Sequence, residues 1–535
     1  MAVVLQVHSE RSDSLRQKRN LNLNGPRVTF ADGILTDDFF LLLRLQHNAA
    51  LYHRGSRLTT RAAADYNQAK GPLMRESCGI FGVFGPGLDT ARLVFFALFA
   101  LQHRGQECAG IAVSGDNGIQ VSAKPGLVAQ VFTESDLAGL RGFAAIGHTC
   151  YSTCTSRRPA TPQPVVAQHD GWVVAVSHNG NITNSASLRT ELESQGQQFA
   201  SDCDGEVIAR LIVTSNGSTW QEKFSHALRR LQGAYSIAAL VPEMVVAARD
   251  RMGVRPLSIG ALDGGFVVAS ETCAFDHIGA TFLRDIAPGE VVFLDRKVTA
   301  QRQERNGRRA FCVFEHIYFA RPDSSIEGRL VYEARLAMGA KLAEEHPVDA
   351  DYVLGVPDSA TAAAIGYARA SGIPYREGLL KNRYVGRTFI APDQRLRDLG
   401  VQLKFNPLSS LIRGKRLIVV DDSIVRGTTT PRVVKLLRQA GASEVHLRIC
   451  APPLRHPCPL GVDMASEWEL IAARMSEPDI VRHLGVDSLG YSSLPGLVEA
   501  VGLPRDILCL ACFNGDYPLP VQMGLSRLTA GSQAI

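Results

Sequence analysis

Leu417-Ile-Val-Val-Asp-Asp-Ser-Ile-Val-Arg-Gly-Thr-Thr-Thr-Pro431 runs from an apolar stretch through two adjacent acids into a hydroxyl-rich turn. Leu417 to Val420, preceded by Gly414-Lys415-Arg416, reads as a short strand buried on both faces, as in a parallel sheet. Asp421 and Asp422 then stand at its carboxyl end, the edge where open α/β sheets bind ligands. Ser423, Arg426, Gly427, Thr428 and Thr429 follow, offering hydroxyls, a cation and a close backbone approach before a helix. Thr430 is expected as the N-cap, Pro431 at the first helical position, Val433, Leu436, Leu437 and Ala440 as the apolar face, and Gly441 as the stop. Such a turn suits a phosphate, and the two acids suit ribose hydroxyls and a Mg²⁺. The plain alternative is a strand, turn and helix with two solvated aspartates.

The stretch resembles the phosphoribosyl pyrophosphate (PRPP) motif of type I phosphoribosyltransferases. Two further segments extend the resemblance. Pro357-Asp358-Ser359-Ala360-Thr361, between an expected strand Tyr352–Val356 and an expected helix Ala360–Ser371, is similar to the pyrophosphate loop, where helix-start amides meet a diphosphate. Lys381-Asn-Arg-Tyr-Val-Gly-Arg-Thr-Phe-Ile390 resembles the loop that closes over PRPP; Lys381, Arg383 and Arg387 are its cations, and a solvated basic loop is the alternative. The resemblance implies PRPP binding by Asp421, Asp422, Ser423, Arg426, Gly427, Thr428, Thr429, Lys381 and Arg387. It implies Mg²⁺ at Ser359, Asp421 and Asp422, where a few oxygen ligands suffice because the ion keeps waters and bridges phosphates.

At 535 residues, 45% hydrophobic and 20% charged, the chain has the make-up of a globular protein of two or three domains, at about 100–200 residues each. A net charge of +5, with acids and bases interspersed, gives no argument for nucleic acid. The apolar runs Phe39–Leu43 and Leu93–Leu101 fall far short of the ~18 residues of a membrane span. Residues 1–77 differ in texture. They are expected to be an extension or propeptide that is removed or disordered, or residues upstream of a true start at Met74. Glu10, Asp13, Asp32, Asp37 and Asp38 argue against an acid-poor transit peptide. A cytoplasmic location is expected, with a plastid the alternative if a transit peptide is present.

Cys78-Gly-Ile-Phe-Gly-Val-Phe-Gly opens a strand with a cysteine, and a helical stretch Thr90–Gln102 leads into Leu101-Gln-His-Arg-Gly-Gln-Glu-Cys-Ala-Gly-Ile111. Ser177-His-Asn-Gly-Asn-Ile-Thr-Asn184 reads as a polar turn after a strand Trp172–Val176, and Ser201-Asp-Cys-Asp-Gly-Glu-Val207 as a helix opening. In this order the motifs resemble the glutamine amidotransferase domain of the N-terminal nucleophile class. In that family the cysteine must begin the mature chain, because its own α-amino group, with a pKa near ~7.7–8.0, serves as general base for the thiol. The resemblance implies that Cys78 is the nucleophile and that Asn179 with the Gly180 amide forms the oxyanion hole. It also implies that Arg104, Gly105, Thr153 and Asp204 bind glutamine. Asp202 is a rival to Asp204, which keeps the family's Asp-x-Glu spacing.

One position departs from that pattern. The family reads Arg-Tyr-Ser-Thr after Gly-His-Thr, and this chain reads Gly147-His-Thr-Cys-Tyr-Ser-Thr153. Cys150 replaces the arginine expected on the glutamine α-carboxylate, at a cost on the order of 2 kcal/mol of binding. Arg157 or Arg158 is the nearest compensating cation.

Eleven cysteines in so long a chain do not make a disulfide scaffold, and Cys509-Leu-Ala-Cys512 suggests metal or redox chemistry. Two further cysteines would complete a Cys₄ zinc site or an iron–sulfur cluster. Taken over residues 78–518, the chain resembles the iron–sulfur-containing branch of the amidophosphoribosyltransferase family. That resemblance implies that Cys312, Cys458, Cys509 and Cys512 ligate a [4Fe–4S] cluster, with Cys273 as core.

The implied fold is α/β and α+β. An N-terminal-nucleophile αββα sandwich, residues 78–308, precedes a type I phosphoribosyltransferase domain with a parallel sheet and a C-terminal cluster-binding segment, residues 309–535. The implied activity is glutamine hydrolysis and transfer of the ammonia to PRPP, giving 5-phosphoribosylamine in de novo purine synthesis. Homotetramers inhibited by purine nucleotides are expected, with no nucleic-acid or membrane partner. Two alternatives remain: an ammonia-dependent phosphoribosyltransferase with a glutaminase impaired by Cys150, and a non-catalytic PRPP or nucleotide sensor.

Overall fold

The computed structural model describes residues 78–150, 161–303, 307–382, 405–462, 464 and 466–520. Thr153, Arg157, Arg158, Arg383 and Arg387 lie outside the described residues, as does the whole segment before Cys78.

Two antiparallel sheets stack face to face in the first half. One has seven strands in the order Thr281–Asp285, Ser258–Leu262, Gly265–Ala269, Gly79–Phe84, Ala144–Cys150, Cys108–Gly115 and Gly118–Pro125. The other has six: Val298–Arg302, Glu290–Leu294, Met244–Arg249, Gly233–Val241, Trp172–Ile182 and Val165–His169. Strand periodicity explains the layering. In Gly79–Phe84, Ile80 and Phe84 join Ile146, Leu240, Val245 and Val268 between the sheets. Phe81 and Val83 point the other way, onto Val94, Leu98 and Phe275 of the covering helices Thr90–Ala100 and Cys273–Ile278. On the far side Val174, Val176 and Ile237 meet Ile208, Leu211 and Phe224 of helices Asp204–Thr214 and Trp220–Arg230. Each fully buried side chain of this kind contributes about 1.5–3 kcal/mol. The result is helix, sheet, sheet, helix.

The second half is built on a parallel sheet in the order Tyr352–Gly355, Arg416–Asp421, Glu444–Ile449 and Ser488–Tyr491. Leu417, Ile418, Val419 and Val420 are all buried, as a strand covered on both faces requires. Helices Val331–Glu345, Thr361–Ser371 and Thr430–Gln439 pack around it. Between the halves lie a short strand, Phe311–Cys312, and a π-helical turn, Glu315–Phe319. Phe311–Cys312 pairs in parallel with Leu508–Cys509 near the chain's end.

Several expected boundaries move. The helix before the Arg104 turn ends at Ala100, and Gln102–Arg104 is a separate 3₁₀ turn. The helix after the acid pair begins at Thr430 behind a cap at Thr429, one residue earlier than its composition suggests. The largest correction concerns Ser177–Ile182, expected as a turn. It continues the strand from Trp172 and pairs with Gly233–Val241, Asn179 opposite Ser236 and Gly180 opposite Tyr235. Its polar letters resemble a turn, but the segment is buried and its backbone groups are satisfied by the neighbouring strand.

Candidate active site

Cys78 is fully buried at the head of its strand. Its backbone N–H donates to Asn179 Oδ1 at 3.2 Å, which fixes the nucleophile against the strand that carries Asn179 and Gly180. Asn179 Nδ2 is buried without a hydrogen-bond partner. An orphaned donor beside a thiol is costly unless something arrives to use it, and a developing oxyanion is such a group. Gly180 has φ of 144°, and a Cβ there would lie 2.0 Å from the Ala234 carbonyl oxygen. Only glycine fits this kink.

Arg104 donates through Nε to the Cys78 carbonyl at 3.0 Å. Its other nitrogens are spent on acids: Glu271 at 2.6 Å and Glu315 at 2.9 Å through both Nη atoms. The structure therefore brings Arg104 to the nucleophile but holds its guanidinium on two carboxylates. Gly105 abuts Cys150, whose backbone atoms lie 2.5 Å from where a Gly105 Cβ would stand. Cys150 itself is buried, in register with Cys108 on the adjacent strand.

Asp204 opens its helix and accepts from the Ile182 amide at 2.8 Å, two residues beyond Gly180, while burial raises its pKa. Asp202 is exposed and pairs with Arg189 at 3.5 Å. Asp204 is thus tied to the strand that carries Gly180, and Asp202 to Arg189. Glu206 serves the loop instead, accepting from the Ala200 and Ser201 amides.

At the edge of the parallel sheet, Asp422 is buried and its carboxyl is pushed up by that burial, against the lowering effect of hydrogen bonds from Ser359 and Ser423 and of nearby Arg335. Ser423 donates to Asp422 Oδ1 at 2.6 Å. Ser359, Asp421 and Asp422 thus form one oxygen-rich corner, and a desolvated carboxylate there is a fit for a hard cation. Arg426 donates to Glu469 at 2.7 and 3.0 Å, anchoring the turn that carries Gly427, Thr428 and Thr429. Lys381 forms an ion pair with Asp358 of the expected pyrophosphate loop.

A third cluster lies near the join. Cys312 and Cys509 are register partners, Cys512 is the second residue of the next helical turn Ala511–Asn514, and the Arg455 and His456 amides donate to the Cys512 carbonyl, bringing the Cys458 segment alongside. None of the four cysteines is in a disulfide. Burial is the main cause of the raised Cys512 thiol, and the charges of Cys509, Cys458 and Cys312 add to it. Cys509 is pushed up to about 11 for the same first reason. Cys273, read as core, is fully buried.

Sequence reasoning missed Glu271, Glu315, Arg255 and Arg335, which are all buried. The signal for Glu315 was a lone acid inside the apolar run Ala310–Ile317. For Arg335, on a helix of ordinary amphipathic pattern, there was none.

Residues 152–277 match a glutamine amidotransferase domain family. An amidophosphoribosyltransferase of Synechococcus elongatus is 46% identical over 459 residues, covering 84% of this chain and 93% of that protein. One of Bacillus subtilis is 44% identical over 455 residues, covering 84% and 95%. Among solved structures, the allosteric regulatory enzyme of purine biosynthesis has a TM-score of 0.78 at 44% identity, covering 82% of this chain and 96% of that one. A glutamine PRPP amidotransferase from B. subtilis, complexed with ADP and GMP, has a TM-score of 0.77 at 43% identity, covering 82% and 97%.

Proposed function

The chain belongs to the amidophosphoribosyltransferase family, and from that premise we propose which of its residues carry each step and which cofactors they hold. The enzyme combines a glutamine amidotransferase domain with a phosphoribosyltransferase-type fold, and purine biosynthesis is its implied setting.

In the proposed mechanism residues 78–308 are the glutaminase and 309–535 the phosphoribosyltransferase. Cleavage before Cys78 frees its α-amine, which takes the thiol proton. The sulfur attacks the glutamine amide carbon, and the oxyanion is met by Asn179 Nδ2 and the Gly180 amide. Ammonia leaves, and water cleaves the thioester to glutamate. Asp204 holds the α-amino group of glutamine; Gly105 shapes the pocket, and Arg104 supports it through the Cys78 carbonyl. Ammonia then attacks the ribose carbon of PRPP and pyrophosphate departs. The turn from Ser423 to Thr429 grips the 5-phosphate, Asp421 and Asp422 the ribose, and Lys381 exchanges Asp358 for the diphosphate. Thr153 and Arg387 keep their expected roles. The observation that carries this reading is the orphaned Asn179 donor beside a buried Cys78.

Ser359, Asp421 and Asp422 would hold Mg²⁺, which when bound would supply positive charge for the diphosphate. Cys312, Cys458, Cys509 and Cys512 would hold a [4Fe–4S] cluster, which would tie the chain's end to the join. Burial pushes the Cys312, Cys509 and Cys512 thiols up, so thiolates there are unfavourable without a cation, and this supports the reading. Among the described residues no three His, Cys, Asp or Glu side chains meet closely enough to hold one metal ion as they stand. A homotetramer inhibited by purine nucleotides is proposed with these. A cytoplasmic location is proposed too; among the described residues no helix is long and apolar enough to cross a membrane.

The test compares a chain beginning at Cys78 with the full chain, supplying Mg²⁺, PRPP and either glutamine or an ammonium salt. Glutamine-driven pyrophosphate release from the trimmed form alone is the expected result. Release with ammonium only would instead establish the glutaminase-impaired reading that Cys150 raises, and binding without release the sensor.

A further inference from the structure

The oxyanion segment is held from outside its own sheet. Asn181, next to Gly180 and almost wholly buried, donates through Nδ2 to the Pro459 carbonyl at 2.9 Å. Two residues on, Gly461 lies directly on that segment. With φ of +101°, a Cβ there would stand 3.2 Å from the Gly180 carbonyl carbon and 2.9 Å from Arg255 Nη2. The carbonyl between them, Leu460, accepts from Arg255 Nη2 at 3.3 Å. Arg255 Nη1 in turn donates to Glu315 at 3.2 Å, the carboxylate that also holds Arg104 on the Cys78 carbonyl.

Resting on the proposed roles of Cys78, Asn179 and Gly180, we infer that the loop Cys458–Gly461 is a positioning element of the glutaminase, clamping the oxyanion segment from the other half of the chain. The physical case is steric and directional. Gly180 is kinked, and a kinked strand residue keeps its amide aimed only if its neighbours are fixed. Its sheet partner fixes one side through Ala234. The loop fixes the other, through the Asn181–Pro459 hydrogen bond and the bare backbone of Gly461. The Pro459 and Leu460 carbonyls accept from Asn181 and Arg255 on the glutaminase side, so the loop's effect is expected on ammonia production and not on ammonia use. A displacement of the oxyanion donors by about 1 Å is enough to cost ~100-fold in rate.

Gly461→Ala and Asn181→Asp are the test variants: one adds a methyl against Gly180, the other removes the donor to Pro459. Gly515→Ala is the control, another positive-φ glycine in the same C-terminal segment, where the atoms nearest an added Cβ are those of the His456 ring and not of the oxyanion segment. Three quantities are read on the trimmed holoenzyme: glutamine-supported release of pyrophosphate, ammonium-supported release, and the rate at which a glutamine-like chloroketone alkylates Cys78. Both test variants are expected to lose at least about tenfold of the glutamine-supported rate and of the alkylation rate, with ammonium-supported release within about twofold. Gly515→Ala is expected to leave the ratio of the two rates unchanged. Equal loss with both nitrogen sources, or no loss with glutamine, overturns the inference. An unmodified enzyme that releases pyrophosphate with neither source overturns the underlying assignment instead.

Discussion

Arg104 and Glu315 meet across the join between the two halves, each Nη of the guanidinium 2.9 Å from a carboxylate oxygen of Glu315, with both side chains buried. Glu271 completes the cage at 2.6 Å, and its carboxyl is held far below the usual range by His103 and Arg104 despite its burial. Removing one partner of a buried pair leaves the other charge uncompensated, at about 3–5 kcal/mol. Glu315→Ala is expected to lower the melting temperature by several degrees and to slow glutamine use more than ammonium use, read by calorimetry and parallel assays. Unchanged stability would mean that the pair is dispensable.

Cys150 stands where the family resemblance leads one to expect an arginine. Restoring it by Cys150→Arg is expected to lower the KM for glutamine by roughly tenfold or more, the value of a charge-assisted carboxylate pair, while leaving the ammonium-supported rate unchanged. An unaltered KM would show that another group already holds the α-carboxylate.

Asp421→Asn and Asp422→Asn are expected to weaken Mg²⁺-dependent PRPP binding at least ~30-fold and to suppress release with both nitrogen sources alike. Because burial raises the Asp422 carboxyl, Mg²⁺–PRPP affinity should begin to fall, as pH drops, above the ordinary aspartate range. Titration calorimetry across pH checks both outcomes.

His178 and His316 are buried, and burial lowers each to about 4. Unfolded, they take a proton near ~6.5; folded, they do not until about 4, so the unfolded state binds more protons between these values. Stability is therefore full above ~6.5 and falls with pH through that window, by about 3 kcal/mol per histidine. His316 has neither ring nitrogen hydrogen-bonded. His316→Gln is expected to flatten the acid limb of the melting-temperature profile without moving its neutral plateau much.

Protein prepared without oxygen is expected to carry about four irons per chain with matching labile sulfide. Cys509→Ser should lose that iron and melt earlier, since the strand Leu508–Cys509 is the partner of Phe311–Cys312 at the join. Iron analysis and visible absorption decide it.

The sequence alone carried the local chemistry. The apolar run ending in Asp421-Asp422, the cysteine opening a strand, the Asn179-Gly180 pair and the spacing of Cys509 and Cys512 are contiguous patterns, so composition and period expose them. The parallel half was legible in the same way from its apolar strand, whereas the two-layered antiparallel half was implied only by the family resemblance of its motifs. What only the tertiary structure decided depends on contacts between residues far apart in the chain. Ser177–Ile182 reads as a turn because its letters are polar, and becomes strand only because Gly233–Val241 supplies its hydrogen bonds. Arg104 reads as a pocket residue from its motif, and only the fold shows that Glu271 and Glu315, 167 and 211 residues away, hold its guanidinium. The loop after Cys458 reads in the sequence only as the flank of an expected cluster ligand. Its role comes from where packing puts it, since a backbone with no side chain at Gly461 can lie where any Cβ would collide.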